Sequence, residues 1–161
     1  MYWQLSDRFD PVAAQIADRH YNRRKIGSPQ FVPPGRCVVL RTPEGDAFWV
    51  SSWPFAEFVR HAWPGAWVCS AFRNESPHLS SLMSIDALAA TRAVWEPPEL
   101  GMVTFVDPAK TRRKRDPGRC FRKAGFRHVG ETKGGLVALQ LLPDEMPAPQ
   151  EALGSQQMLT L

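Results

Sequence analysis

The segment TFVDPAKTRRKRDPGRC, residues 104–120, joins an apolar run to a polycation, with one acid, Asp107, at the junction. Five of the six residues from Lys110 to Arg115 are Lys or Arg. A carboxylate at the end of a central strand projects where backbones splay and a cleft opens, so Asp107 could serve as a base or orienter for an amine. The plainer reading is a turn-capping Asp ahead of Pro108. The basic run also reads two ways, as a solvated loop or as a phosphate clamp. Its compactness, and its place directly after Asp107, favour the clamp. Lys110, Arg112, Arg113, Lys114, Arg115, Arg119, Arg122 and Lys123 would then seat a nucleic acid, with Arg23, Arg24 and Lys25 as further cations.

Other residues carry chemistry of their own. His20 can take a proton near neutral pH, and Tyr21 can stack on a base or donate to a carbonyl oxygen. Against that, His20 could be only a cation at a helix C-terminus and Tyr21 ordinary core. Arg73 follows a buried strand and could hold a donor phosphate or stabilise developing negative charge, with Asn74 and Glu75 beside it on the donor side. An Arg73–Glu75 surface pair is the bland alternative. Ser80 and Ser81 could add hydroxyls to the N–H groups of a helix start and hold an anion there, or could just be its cap. Trp53 is read first as core and second as a stacking surface for an extruded base. The four histidines, His20, His61, His78 and His128, show no metal-ligand spacing, so no residue is assigned as a metal ligand, and a metal requirement stays open.

The charge is unevenly placed. The net charge is +4, yet residues 110–133 hold ten of the twenty Lys and Arg side chains and only Asp116 and Glu131 as acids, so that segment carries +8 and the remainder −4. Fifteen of the twenty cations are Arg, whose planar fork pairs phosphates bidentately. A mildly acidic body with one strongly cationic segment fits a polyanion partner, double-stranded DNA first. The 161 residues suit one domain, with residues 1–143 as the folded unit and 144–161, rich in Pro, Gln and Ala, as a loose tail that its last apolar residues could dock. No apolar stretch reaches a membrane-spanning length, the start MYWQLSDRFDP lacks the features of a secretory signal, and three widely spaced cysteines fit a reducing cytoplasm.

The elements that must position these residues follow from patterning. DPVAAQIADRHYNR opens a helix with Asp10 as cap and Pro11 in the first position, its stripe ending near His20-Tyr21. CVVLR and AFWVSS flank TPEGD as a hairpin, and AWVCSAF is a buried strand. Helical spacing runs from Ser81 to Trp95, LGMVTFVD is a further strand, and DPGRCFRKAGF is a short helix with Pro117 in its first turn. RHVGET and LVALQLL close the chain as a hairpin. The sum is an α+β fold with a mixed, mostly antiparallel sheet of about six strands flanked by helices.

A strand, a long helix, a strand and a short helix ending KAGF, then RHVGET, resembles the acyltransferase fold of the GNAT family of N-acetyltransferases. In that likeness Phe121 is the aromatic residue of the closing helix on the donor side, followed by Gly125-Phe126 and Val129-Gly130. The donor loop departs from the family: RNESPHLSS contains no glycine. RHYNRRK, SAFRNESPHLSS, VTFVDP and CFRKAGFRHVGET together resemble the Mom-type DNA-modifying proteins of phages, which keep a GNAT-like core without the orthodox coenzyme loop. That resemblance implies a transferase that adds a small carbamoylmethyl- or acyl-type group to the N6 amine of adenine in DNA, protecting it from restriction enzymes. The donor stays open between an acyl-coenzyme A, an aminoacyl carrier and a glycine-derived group. Two other functions fit the residues. One is a conventional N-acetyltransferase using acetyl-coenzyme A on a small amine or protein; the other is a non-catalytic basic module that binds nucleic acid.

Overall fold

The computed structural model describes residues 1–20, 25–28, 30–110 and 117–154. Ten regular elements follow in order: β1 (Gln4–Ser6), α1 (Pro11–Ala17), β2 (Arg36–Arg41), β3 (Ala47–Trp53), β4 (Trp67–Asn74), α2 (Ser80–Val94), β5 (Met102–Val106), α3 (Arg119–Lys123), β6 (Arg127–Glu131) and β7 (Val137–Leu141). Ala56–Phe58 and Pro143–Glu145 are single 3₁₀ turns. The fold is α+β, built on one seven-stranded sheet of order β1-β2-β3-β4-β5-β7-β6. Every neighbouring pair is antiparallel except β4 and β5, which run parallel because α2 crosses between them.

That parallel contact is short. Only Trp67, Val68 and Cys69 pair with Met102, Val103 and Thr104, while β4 runs on to Asn74 and β5 to Val106. On its other edge β4 carries a bulge: Val50 pairs with Ala71 and Ser51 with Cys69, leaving Ser70 as the extra residue. A bulge bends and twists its strand, which carries the distal half of β4 away from β5. Ser52 and Ser70 are joined there through their hydroxyls at 3.0 Å.

Each face of the sheet has its own cover. On one, α2 and α3 bring Met83, Ala87, Leu88 and Phe121 onto Trp3, Trp49, Trp67, Met102, Leu139 and Leu141. Trp3, Trp49 and Trp67 are fully buried, each removing roughly 150–250 Å² from water. The Trp49 indole N–H donates to Ser51 at 2.8 Å, and Ser51 meets Thr91 of α2 at 2.8 Å. On the opposite face α1 sets Ala13, Ile16 and Ala17 against Val39, Phe48, Val50 and Ala71.

Local chemistry sets the boundaries. Asp10 caps α1 by accepting the Val12 N–H at 2.9 Å, and its other oxygen accepts the Arg41 Nε–H at 2.6 Å, pinning the helix to β2. The helix stops at Ala17, so His20 sits in the turn beyond it rather than on its last turn. Pro117 precedes α3, whose cap is Gly118 at φ +79°. A Cβ on Gly118 would meet the Leu139 Cδ1 methyl at 2.8 Å and displace it, and the left-handed backbone itself favours glycine there.

The sheet has one strand more than the six or so expected, and β1 is the addition. It pairs with β2, and Leu153 bridges it on its other side: the Leu153 N–H donates to the Trp3 carbonyl at 2.8 Å, and Leu5 N–H to the Leu153 carbonyl at 3.2 Å. Between these points Met146 and Ala152 are buried and Arg92 of α2 donates to the Pro147 carbonyl at 2.7 Å. Among the described residues, no helix is long and apolar enough to cross a membrane.

Candidate active site

Where β4 and β5 part, the sheet opens into a cavity of about 230 Å³. Cys69 to Asn74 of β4 form one wall and Thr104 to Val106 of β5 the other; Gly118, Cys120 and Phe121 close one end, and Ser80 and His20 complete the lining. A second cavity of about 620 Å³ lies on the α1 face. Lys25, Ser28 and the stretch from Gln30 to Pro34 line it together with Ala17, Phe48, Ser70 and Ala71. Ser70 and Ala71, the bulge of β4, therefore belong to the walls of both.

Parting a ladder leaves backbone groups that need other partners. The Thr104 hydroxyl donates to the Cys69 carbonyl at 3.3 Å. The Phe72 carbonyl is met by His20 Nε2 at 2.9 Å. A carbonyl only accepts, so Nε2 carries the proton, and in the neutral imidazole Nδ1 then carries the lone pair. His20 is 8% exposed, and its ring stands edge-on to Phe48 at 6.3 Å. It thus lines the smaller cavity while packing on a wall residue of the larger.

The structure gathers His20, Arg73, Asn74, Ser80 and Phe121 from the residues singled out by sequence. Phe121 is fixed by Phe126, Trp49 and Phe72 at ring distances of 5.5, 6.1 and 6.2 Å. Asn74 shapes the loop into α2: its Nδ2 donates to the His78 carbonyl at 2.7 Å and to Ser80 Oγ at 3.0 Å, and its Oδ1 accepts the Ser76 N–H at 2.9 Å. Leu79, not a serine, holds the cap position of α2, and Ser81 is not on the cavity wall.

Glu75 also stays off the wall and works as a brace. It accepts from Arg19 at 2.7 and 2.8 Å and from Arg73 Nε at 2.7 Å. The Arg19 hydrogen bonds, and next those of Arg73, push the Glu75 carboxyl down to about 2. Arg73 therefore forms the pair with Glu75 and lines the cavity as well.

Asp107 lies elsewhere. Its Oδ1 accepts the Ala109 N–H at 2.9 Å and the Lys110 N–H at 3.3 Å, shaping the turn after β5, and it is not among the residues lining either cavity. This is the turn-capping geometry. Lys110, Arg119 and Lys123 are exposed, and Arg122 donates to the Pro117 carbonyl at 3.1 Å; of the described cations expected to meet nucleic acid, only Lys25 lines a cavity. Tyr21, Arg23, Arg24, Arg112, Arg113, Lys114 and Arg115 lie outside the described residues. Trp53 packs on Trp67 and Trp95, donates its indole N–H to the Gly65 carbonyl at 3.0 Å and lines neither cavity, in keeping with its reading as core.

Sequence reasoning missed Cys69, Ser70, Thr104 and Cys120. Cys120 adjoins Phe121 in the helix that carries the resemblance, and that adjacency is the signal that could have found it. Burial pushes the Cys69 thiol far above its ordinary range. Among the described residues, no group of three His, Cys, Asp or Glu side chains is placed to hold a metal ion.

Comparison with protein-family models, curated proteins and solved structures yields no match to this chain. Its function must be argued from the site itself.

Proposed function

We propose that the chain is a group transferase on a GNAT-like core, acting in the Mom manner on the N6 amine of adenine in DNA. The observation that carries this reading is the pair of cavities with a common wall at Ser70 and Ala71 and His20 beside it. Transfer needs two substrates held close together, and the two recesses border the same two residues, Ser70 and Ala71.

The larger cavity suits the acceptor. At about 620 Å³ it falls in the range of small-molecule sites, and Phe31 and Phe48 offer aromatic walls to a flat heterocycle, with Ser28 and Gln30 as polar partners. The target base must leave the helical stack to enter it, since its amine is otherwise beyond the reach of side chains in a cleft. The smaller cavity takes the reactive end of the donor, an acyl-coenzyme A or an aminoacyl- or glycine-derived carrier. Arg73 supplies charge to the donor's polar group there, and Asn74 and Ser80 supply hydrogen bonds. His20, with its tautomer set by the Phe72 carbonyl, takes the proton that the amine loses on attack. Asp107 shapes the turn that leads into the cationic stretch, and Lys110, Arg119, Arg122 and Lys123 bind DNA phosphates.

The test is mass analysis of nucleosides digested from DNA of cells expressing the chain. A mass-shifted deoxyadenosine is expected, and it disappears with His20→Gln. Unmodified nucleosides from cells holding folded protein would overturn the reading. Salt-dependent DNA binding would then point to a binding module, and stabilisation by acetyl-coenzyme A with acetylation of a small amine to a conventional N-acetyltransferase.

A further inference from the structure

The connection from β3 to β4, residues 54–66, brings two rings onto β5. His61 packs on Phe105 at a ring distance of 5.1 Å, and Trp63 lies 6.1 Å from each of them. Trp63 also lies over Gly130 of β6, where a Cβ would stand 3.9 Å from its ring. Phe105 is in turn part of the β5 wall of the smaller cavity. Two rings of the connection therefore bear on that wall residue, and one of them can take a proton.

The backbone N–H of Trp63 donates to His61 Nδ1 at 3.0 Å. A ring nitrogen that accepts holds no proton, so in the neutral imidazole the proton sits on Nε2. Nε2 is shut off from solvent and meets no acceptor among the described residues. Protonation would therefore do two things. The new N–H at Nδ1 would face the Trp63 N–H, so that hydrogen bond must break. A positive charge would also stand beside Phe105 without an acceptor for Nε2. The charged side chains of the surrounding elements look elsewhere. Glu57 and Arg60 of the connection and Arg127, His128 and Glu131 of β6 are exposed, and Asp107 beyond β5 is turned onto the N–H groups of its own loop. Burial is accordingly what holds the His61 imidazolium below its ordinary 6.5.

We propose that His61 is a proton-operated latch on the smaller cavity: neutral, it clamps the connection onto Phe105, and protonated, it lets go and loosens the β5 wall. The latch works whatever the cavity binds and does not rest on the transferase reading. A histidine whose folded value lies below 6.5 contributes stability that is complete above 6.5 and is lost as pH falls toward the folded value. The latch is therefore shut at neutral pH and begins to weaken below 6.5, well above the 4.5 at which the Glu75 brace begins to fail.

The test is an NMR titration of the intact chain from neutral pH through 6.5 and below, following the His61 ring nitrogens, the Trp63 amide and the Phe105 ring. At neutral pH the His61 proton is expected on Nε2. The His61 midpoint should lie below 6.5, and Trp63 and Phe105 should move with that same midpoint. For every pH unit by which the midpoint falls short of 6.5, protonation should raise the opening constant about tenfold, read from Trp63 amide exchange corrected for its intrinsic pH dependence. His61→Asn still offers an acceptor to the Trp63 N–H but does not titrate, so it should hold Phe105 unmoved over the same range. Should that variant fail to fold, the titration of the unaltered chain still decides. A midpoint at or above 6.5, as the Phe105 and Trp63 rings would give by stabilising the cation, overturns the proposal. So does a His61 that titrates while Trp63 and Phe105 stay still, or a Phe105 that still moves in His61→Asn.

Discussion

His20 and Asp107 both stand in the turn just past a regular element, and both are residues that handle protons, yet they have opposite fates. The carboxylate of Asp107 folds back onto the N–H groups of Ala109 and Lys110, within its own loop. The imidazole of His20 reaches across the molecule to the carbonyl of Phe72, a residue 52 positions away, at the edge where β4 has left β5. A side chain that holds N–H groups of its own loop shapes the loop; one that reaches a carbonyl on a parted strand stands at the opening. The contrast also explains Glu75. Through Arg19 it ties the turn holding His20 to the end of β4, so the histidine's turn is braced from outside the cavity.

Five variants probe that contrast, in three groups of falling effect. His20→Gln should lower adenine modification by about 10²–10⁴-fold, as expected for loss of a general base. Asp107→Asn in the same assay should stay within about tenfold of the parent, below the range typical for that loss. Equal losses would erase the distinction between the two turns. Next comes DNA binding. Replacing Arg119, Arg122 and Lys123 by Ala should reduce the slope of log K against log salt by up to about 0.9 for each phosphate no longer neutralised. Asp107→Ala should weaken binding by loosening the turn at Lys110, and it should lower Tm by roughly 2–4 °C for each kcal/mol of capping removed. An unchanged Tm would detach Asp107 from its structural role. The smallest effect concerns Glu75, whose carboxyl lies near 2 against an ordinary 4.5. A depressed carboxyl contributes stability that is complete above its ordinary value and lost as pH falls toward the folded one. Glu75→Gln should therefore flatten the fall of Tm between pH 4.5 and pH 2, the window set by those two values. A slope identical to the parent's would mean that the brace contributes nothing.

Much of the framework is legible because its signals are local. Alternating and continuous apolar runs mark β2 to β5 and the closing hairpin, and Leu88 and its neighbours at helical spacing mark α2. What escapes depends on distant partners. Gln4–Ser6 has no alternation to show and becomes a strand only because β2 and Leu153 pair with it on either side. The apolar stripe of the first helix points on to His20-Tyr21, whereas the chain leaves the helix at Ala17. The site is half visible. Arg73, Asn74, Ser80 and Phe121 stand out for what their types can do, and they do meet. Asp107 is expected there because strand ends splay, but where the splay begins is set by the Ser70 bulge and a three-pair ladder, which no local pattern reveals.

That one surplus residue in β4 also works as a phase change. Before it, Cys69 belongs to the side of α2 and α3; after it, Ala71 belongs to the side of α1, though ordinary alternation would put both on one side. Deleting the codon for Ser70 would make Cys69 and Ala71 immediate neighbours, which alternation already puts on opposite sides, so every residue downstream would keep its side and only the bend would go. Phe72 would stay among Trp3, Trp49 and Phe121, but β4 would lose the bend that draws it from β5, and the opening between the two strands would narrow.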